Sequence, residues 1–497
     1  MDQAIAVLSF LAYGFIFLIG VLLLVAAVTF VIDVTQTKHA VRRNFPVIGR
    51  FRYLFERLGE FFRQYFFALD REEMPFNRAE RSWVYRACTE ADNTIAFGST
   101  RDLRRPGTVI FLNDPWPVLE TDVAEPSEVT IGPYCREPYT TSSLVNISAM
   151  SFGAISRPAV IALSRGAKAA GIWLNTGEGG LSPYHLEGGS DVVFQIGTAK
   201  YGIRDAGGNL SEARIKELAS LPEIKMFEIK LSQGAKPGKG GILPAAKVSA
   251  EVARIRGIPA GIASISPNRH PDIANVDELL DMIARLRELS GKPVGFKAVL
   301  GQASWLIELV DAILKRGQES APDFFSVDSG DGGSGAAPMP LMDSVGMPIR
   351  DSLPLVVDTF ATAGLRDRIK VIASGKLIIP TEAAWAFCVG ADFVTSARGF
   401  MFALGCIQAM QCNRNTCPTG VTTHNPRLQR GLDPTNKSVR VAGYATKLHH
   451  EIGMIAHSCG VSEPRQLRRS HCRVVTDDGR AVLLSDLYPP VSTPALA

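Results

Sequence analysis

The feature that most constrains this chain is an eightfold alternation beginning near residue 144. Short apolar runs suited to buried strands occur at 144–149, 172–176, 192–196, 225–230, 293–299, 324–328, 370–374 and 392–396. Amphipathic stretches of helical period lie between most of them, at 158–170, 212–219, 243–254, 276–289, 304–315, 353–363 and 381–388. Strands separated by helices must run parallel, through right-handed crossovers. Eight such steps predict a closed (β/α)8 TIM barrel, with an open doubly wound sheet as the structural alternative.

Polar and glycine residues gather where the predicted strands end. SAMSFG follows the first, NTGEGG the second, IKLSQGAKPGKGG the fourth, DSGDGGSGAAP the sixth and ASGK the seventh. In a barrel these loops converge on one rim, where catalysis takes place. Consecutive glycines let backbone amides approach an anion closely. Gly332, Gly333, Ser334 and Gly335, with Ser374, Gly375 and the turn at Ala397 and Arg398, are therefore the candidate phosphate cradle. The bland alternative is plain loop flexibility.

Lys230 and Lys297 each close an apolar strand and should point into the barrel mouth. A buried ammonium needs an anion beside it. A reduced flavin is one such partner, and an internal ion pair with Glu178 or Asp328 is the ordinary one.

The chain has eight cysteines, and GCIQAMQCNRNTCPTG places Cys406, Cys412 and Cys417 with five and then four residues between them. Three thiolates can hold a cuboidal iron–sulfur cluster that lacks one corner. A zinc ion would want a fourth ligand, which His424 is near enough in sequence to supply. Buried free thiols are the third reading.

Before the barrel, residues 4–32 are almost uninterruptedly apolar, more than the roughly twenty residues that cross a bilayer. Lys38, Arg42, Arg43, Arg50 and Arg52 follow that run, which predicts a single-pass anchor in membrane lipid with the catalytic body cytoplasmic. The segment 51–70 mixes aromatics and arginines at helical spacing, suited either to the membrane interface or to packing on the barrel. A formal net charge of only +4 over 497 residues argues against nucleic acid, whose binders usually show a concentrated basic face.

Taken in order, SAMSFGAIS, NTGEGG, IKLSQGAKPGKGG, ISPNRH, SGDGGSGAAP and CIQAMQCNRNTCPTGV resemble the FMN-binding domain of glutamate synthases over about residues 140–430. The resemblance implies FMN, a 3Fe-4S cluster, and reduction of 2-iminoglutarate, formed from 2-oxoglutarate and ammonia, to L-glutamate. It implies that Ala149, Met150 and Ser151 meet the flavin ring through their backbone and that Asn175, Thr176 and Gln195 line its polar edge. Catalytic work falls to Lys297, Lys230 and Gln233, and the cluster to Cys406, Cys412 and Cys417. The alternatives are action on another amino, N-substituted glutamate or 2-hydroxy acid, or a non-catalytic redox or scaffold subunit.

Three departures stand out. Lys239 replaces the glutamate of the family's GAKPGEGG, KAVLGQASW follows the fifth strand, and ASGK stands for the usual DGG. The first two are expected to fall at the substrate. The chain is expected to lack the family's glutaminase domain, with ammonia, an amine or a separate amidotransferase supplying nitrogen. With no strand–GxGxxG–helix module, electrons are expected from ferredoxin, a partner flavoprotein or a membrane carrier. A homo-oligomer is compatible with the chain.

The expected organisation is an anchor over 1–35, a helical extension over 36–139, the barrel over 140–430 and a C-terminal extension over 431–497. In the last of these, LHHEIGM and SCGVSEPRQL read as helical and as packing beneath the barrel. His449, His450, Cys459 and Cys472 fit no standard metal spacing.

Overall fold

The computed structural model describes residues 2–89, 94 and 96–489, so parts of both expected extensions, 90–93, 95 and 490–497, lie outside the described residues. All eight predicted strands form, and they close into one parallel barrel. In chain order they are β1 (Val145–Ile147), β2 (Leu174–Asn175), β3 (Val192–Ile196), β4 (Ile224–Lys230), β5 (Val294–Val299), β6 (Phe324–Asp328), β7 (Lys370–Ser374) and β8 (Phe393–Ser396). β8 returns to pair with β1, Ser396 opposite Ile147, which excludes the open sheet.

Alternation along the strands sorts the barrel interior into layers. Near the strand starts, Val193, Met226, Phe324, Ile372 and Phe393 form an apolar cluster. Gly295 on β5 is required there, because a Cβ would lie 2.5 Å from the Phe324 ring. A two-stranded hairpin, Val129–Ile131 with Tyr139–Thr141, supplies Ile131 and Tyr139 to the same cluster. Two residues further along the strands the interior turns polar, through Gln195, Glu228 and Ser326. The barrel is thus plugged with hydrocarbon at one end and chemically equipped toward the other.

Most predicted helices form within a residue or two of expectation, the one expected at 353–363 starts earlier, at Ile349, and two further readings need correction. The stretch 243–254 is helical only over Ala250–Arg256, because Pro244 starts a single 3-10 turn and Ser249 caps a fresh helix, accepting from Val252 N. LHHEIGM belongs to a helix over Pro434–Ser458, but SCGVSEPRQL has only a 3-10 turn at Pro464–Gln466. That long helix packs alongside Arg157–Ala170, where Gly166 leaves room for Val441.

The chain divides into two compact units, Met1–Ala79 and Glu80–Ala497. Flanking sequence joins the barrel unit because Val109–Phe111 pairs with Cys472–Val475 across the ends of the chain. In the first unit, α1 (Asp2–Thr35) is long and apolar enough to cross a membrane. After a five-residue helix over Ala40–Asn44 and a turn, α2 (Gly49–Phe62) runs into a wider helical turn over Arg63–Phe67, as the spacing in 51–70 predicted.

Candidate active site

β4 and β5 lie in a register that sets Lys297 opposite Lys230, so two ammonium groups enter the mouth at one level. Each meets a carboxylate. Lys230 Nζ is 2.9 Å from Glu178 Oε2, and Lys297 Nζ is 3.4 Å from Asp328 Oδ2. The ordinary alternative of internal ion pairs is therefore realised for both, because strand-end carboxylates sit within reach. Burial works to raise the Glu178 carboxyl, but Lys230, Lys236 and Arg256 together hold it below the usual carboxylate range. Asp328 also accepts the Gly234 amide at 2.8 Å, fixing the loop after β4.

Both lysines open into one cavity formed by the loops at the strand ends. One side is the glycine-built cradle. Gly333, Ser334, Ser374, Gly375, Ala397 and Arg398 all line it, whereas Gly332 turns away, its amide donating to Ser329 O at 2.9 Å. Arg398 donates to Ser334 O at 2.7 Å, and a Cβ on Gly333 would stand 2.7 Å from its Nε. Gly375 has φ +123°, and a Cβ there would meet that of Ser329 at 2.3 Å. Gln233 lines the cavity too, its Nε2 3.4 Å from Ser334 Oγ.

The other side is built from charge. Ala149, Met150 and Ser151 reach it from the β1 loop, pressed against Gly177, where a Cβ would lie 2.5 Å from Ser151 N. Beyond them stand Lys236, Lys247 and Arg256, all buried. Burial pushes the Lys236 and Lys247 ammonium groups down to about 8 and also lowers Arg256. Lys247 Nζ donates to Ala154 O at 2.5 Å and to Cys412 O at 3.1 Å. Seven cationic side chains line this cavity against two carboxylates, Glu178 and Asp328. That excess selects for anionic ligands.

Of the expected polar edge, only Gln195 reaches the main cavity. Asn175 and Thr176 do not, because a buried acid claims the layer beneath. Glu228 accepts from Asn175 Nδ2 at 2.9 Å, Gln195 Nε2 at 2.6 Å and Ser326 Oγ at 2.6 Å. Thr176 turns its hydroxyl to Gly177 O at 3.0 Å. Sequence reasoning passed over Glu228, Lys236, Lys247 and Arg256. A charge inside the strand run FEIK, and the lysine of GAKPG, were the available signals for the first two.

The cysteine loop forms another wall of the site. Cys412 lines the cavity with its thiol 4.0 Å from Arg398, while Cys406 and Cys417 are buried. Neighbouring thiolates add to the effect of burial in raising Cys406. Burial also works to raise Cys417, but donors at Thr419 and Thr422 hold it below the usual thiol range. Gln408 N is 3.5 Å from Cys406 Sγ, so two of the sulfurs already face hydrogen-bond donors. Among the described residues no three His, Cys, Asp or Glu side chains converge as a metal site requires. The expected ligands therefore share one loop but not one point. His424 pairs its Nε2 with Gly153 O at 2.9 Å. His449 likewise pairs with the Val145 backbone, as an ordinary packed residue would.

Two expected departures fall elsewhere. Lys239 is exposed and Gly301 and Gln302 are exposed, and none of them lines the cavity. The acids at this site are Glu178, from another loop, and Asp328, at the end of β6.

A closed barrel with a cation-rich cavity at its strand ends is a barrel of the kind that works at its C-terminal rim. The chain belongs to the glutamate synthase family: the conserved region in glutamate synthase matches residues 103–462. It is a glutamate synthase-type oxidoreductase. The glutamate synthase large subunit-like protein YerD of Bacillus subtilis (strain 168) is 38% identical over 513 residues, covering 95% of this chain and 97% of that protein. The archaeal glutamate synthase (NADPH) of Methanocaldococcus jannaschii is 32% identical over 332 residues, covering 66% of this chain but only 61% of its own length. Among solved structures, a flavocytochrome b2 variant with sulfite bound aligns over 84% of this chain and 90% of its own, at 13% identity and a TM-score of 0.45, too distant to argue from.

Proposed function

We propose that the chain reduces 2-iminoglutarate, formed from 2-oxoglutarate and ammonia, to L-glutamate, with FMN in the cavity and a 3Fe-4S cluster on the cysteine loop. The observation that carries this reading is the cavity's seven cations against two carboxylates, divided between a backbone-built cradle and a charge-built pocket. A flavin phosphate and a dicarboxylic substrate are the two anions such a division suits.

The cradle residues Gly333, Ser334, Ser374, Gly375 and Arg398 would hold the phosphate, since small residues and one guanidinium leave it room. When bound, FMN supplies the hydride. Lys297 and Lys230 hold protons, and hence positive charge, at their Nζ atoms within the mouth, where developing negative charge is stabilised without solvent reorganisation. Lys236 and Arg256 bind and orient the carboxylates of the substrate. Glu178 holds Lys230 in place through their ion pair. Gln233 and Gln195 complete the polar wall. The cluster reading rests on the donors around Cys406 and Cys417, and it requires the loop to draw its three thiols together.

Electrons would come from ferredoxin, a partner flavoprotein or a membrane carrier. In this reading α1 anchors the chain in the bilayer as a single span, with the barrel on the cytoplasmic side. The exposure of Lys239 outside the cavity lining supports this reading over a different substrate. The test is anaerobic. Protein bleached with dithionite should recover its absorption on addition of 2-oxoglutarate with ammonia and release L-glutamate. Recovery with neither substrate, or with a 2-hydroxy acid's oxidised form alone, would overturn the assignment.

A further inference from the structure

The segment that follows α1 uses one of its faces internally and leaves the other bare. Asp33, near the end of α1, is fully buried. It accepts from Arg50 Nε at 2.9 Å and Nη2 at 2.8 Å, and from Val47 N at 3.0 Å. Gly49 completes the turn, because a Cβ would lie 2.7 Å from Val41 O. Tyr53, one turn into α2, is covered by Arg42 at 4.5 Å and by His39 at 5.5 Å between ring centroids. One side of α2 is thereby pinned to the end of α1.

Around the helix from that side stand Phe51, Leu54, Phe55 and Leu58, spaced i, i+3, i+4, i+7, the pattern of a single apolar stripe. They are 52%, 48%, 64% and 37% exposed. Exposed Phe66 and Phe67 continue the apolar run beyond the helix. Residues 36–67 carry seven Lys and Arg against two Glu. An amphipathic helix with aromatic residues on one face and arginines on the others matches the interface of a bilayer bearing anionic headgroups.

We propose that α2 is a second membrane contact, an interfacial helix that lays the Phe51–Leu54–Phe55–Leu58 stripe into the headgroup–acyl boundary of an anionic bilayer. The inference rests on α1 spanning that bilayer. Continuity with the span favours lipid over a protein partner: the Asp33 clamp holds the first turn of α2 beside the residue run where the span ends. It is independent of the redox chemistry proposed above.

The experiment uses the full chain in vesicles of mixed phosphatidylcholine and phosphatidylglycerol. A small fluorescent amino acid replaces Phe55 or Leu58 on the stripe, or Arg52 or Glu56 off it. Quenching by brominated acyl chains should be at least about threefold stronger at 55 and 58 than at 52 and 56, with aqueous iodide giving the reverse order. Equal iodide access at all four positions would overturn the proposal. Shielding of 55 and 58 from both quenchers would do so too, by placing the stripe against protein or a second copy of the chain. Hydrogen exchange on the unsubstituted chain gives a check free of substitutions: amides 50–58 should slow in vesicles relative to detergent, and unchanged exchange counts against it. Release of the unsubstituted chain by an alkaline wash would overturn the spanning reading of α1 and this inference together, while leaving the redox assay unaffected.

Discussion

The two sides of the cavity are built by different means. Loops after β6, β7 and β8 make their side with backbone, at positions where a Cβ has no room: Gly333 beside Arg398, Gly375 against Ser329. Loops after β2 and β4 make theirs with charges, Glu178, Lys230 and Lys236, whose positions depend on one another. The first kind of site tolerates little change in shape and the second little change in charge. The difference predicts which substitutions hurt binding of a cofactor, which hurt turnover and which only the fold.

The largest effect belongs to the charge-built side. Lys297→Met should cut turnover by roughly 10²–10³-fold while leaving thermal stability and bound flavin nearly intact, since it removes a charge needed when negative charge develops. Steady-state kinetics with flavin content measured on the same sample checks it. Gly375→Ala should act the other way. The added methyl meets Ser329 at a φ of +123°, so the protein should lose stability by about 1–3 kcal/mol and lose its flavin, seen as a lower melting temperature and a colourless fraction.

Lys236 gives a pH signature. Burial lowers it to about 8, so the ammonium is present below that pH and lost above it. Substrate affinity should hold below pH 8 and weaken above it, with KM for 2-oxoglutarate rising toward about tenfold per pH unit. In Lys236→Met the rise should vanish and KM should be high throughout. A KM that instead falls above pH 8 would mean Lys236 does not face the substrate. The smallest effect is expected beneath the floor. Glu228→Gln keeps the shape but replaces an acceptor of three hydrogen bonds, and should cost about 1–3 kcal/mol in a melting curve with kcat changed little.

What was legible in the sequence follows the same division. The eight strands stood out because each is buried along all or nearly all of its length and reads as a short, mainly apolar run, whatever its partners. The cradle was legible for a similar reason: Gly333 and Gly375 mark themselves by lacking a side chain. Lys230 and Lys297 showed as charges at strand ends, but their partners were offered only as the alternative reading. Arg256 gave no local signal at all, because it sits in the last turn of a surface-looking helix and is buried by distant parts of the chain: the loop carrying Gly153, the loop carrying Gly179, and Tyr201. Lys239 misled for the converse reason. Its motif is that of a site loop, but the chain turns through Gly238 at φ +73° and carries the side chain outward.

The most direct test of the central claim is chromophore analysis of the full chain purified from flavin-replete cells. The account predicts a yellow-brown protein that releases one FMN per chain on heating, with FMN and not riboflavin retained, and iron with sulfide that disappear in Cys412→Ser. A folded, colourless and iron-free preparation would contradict it.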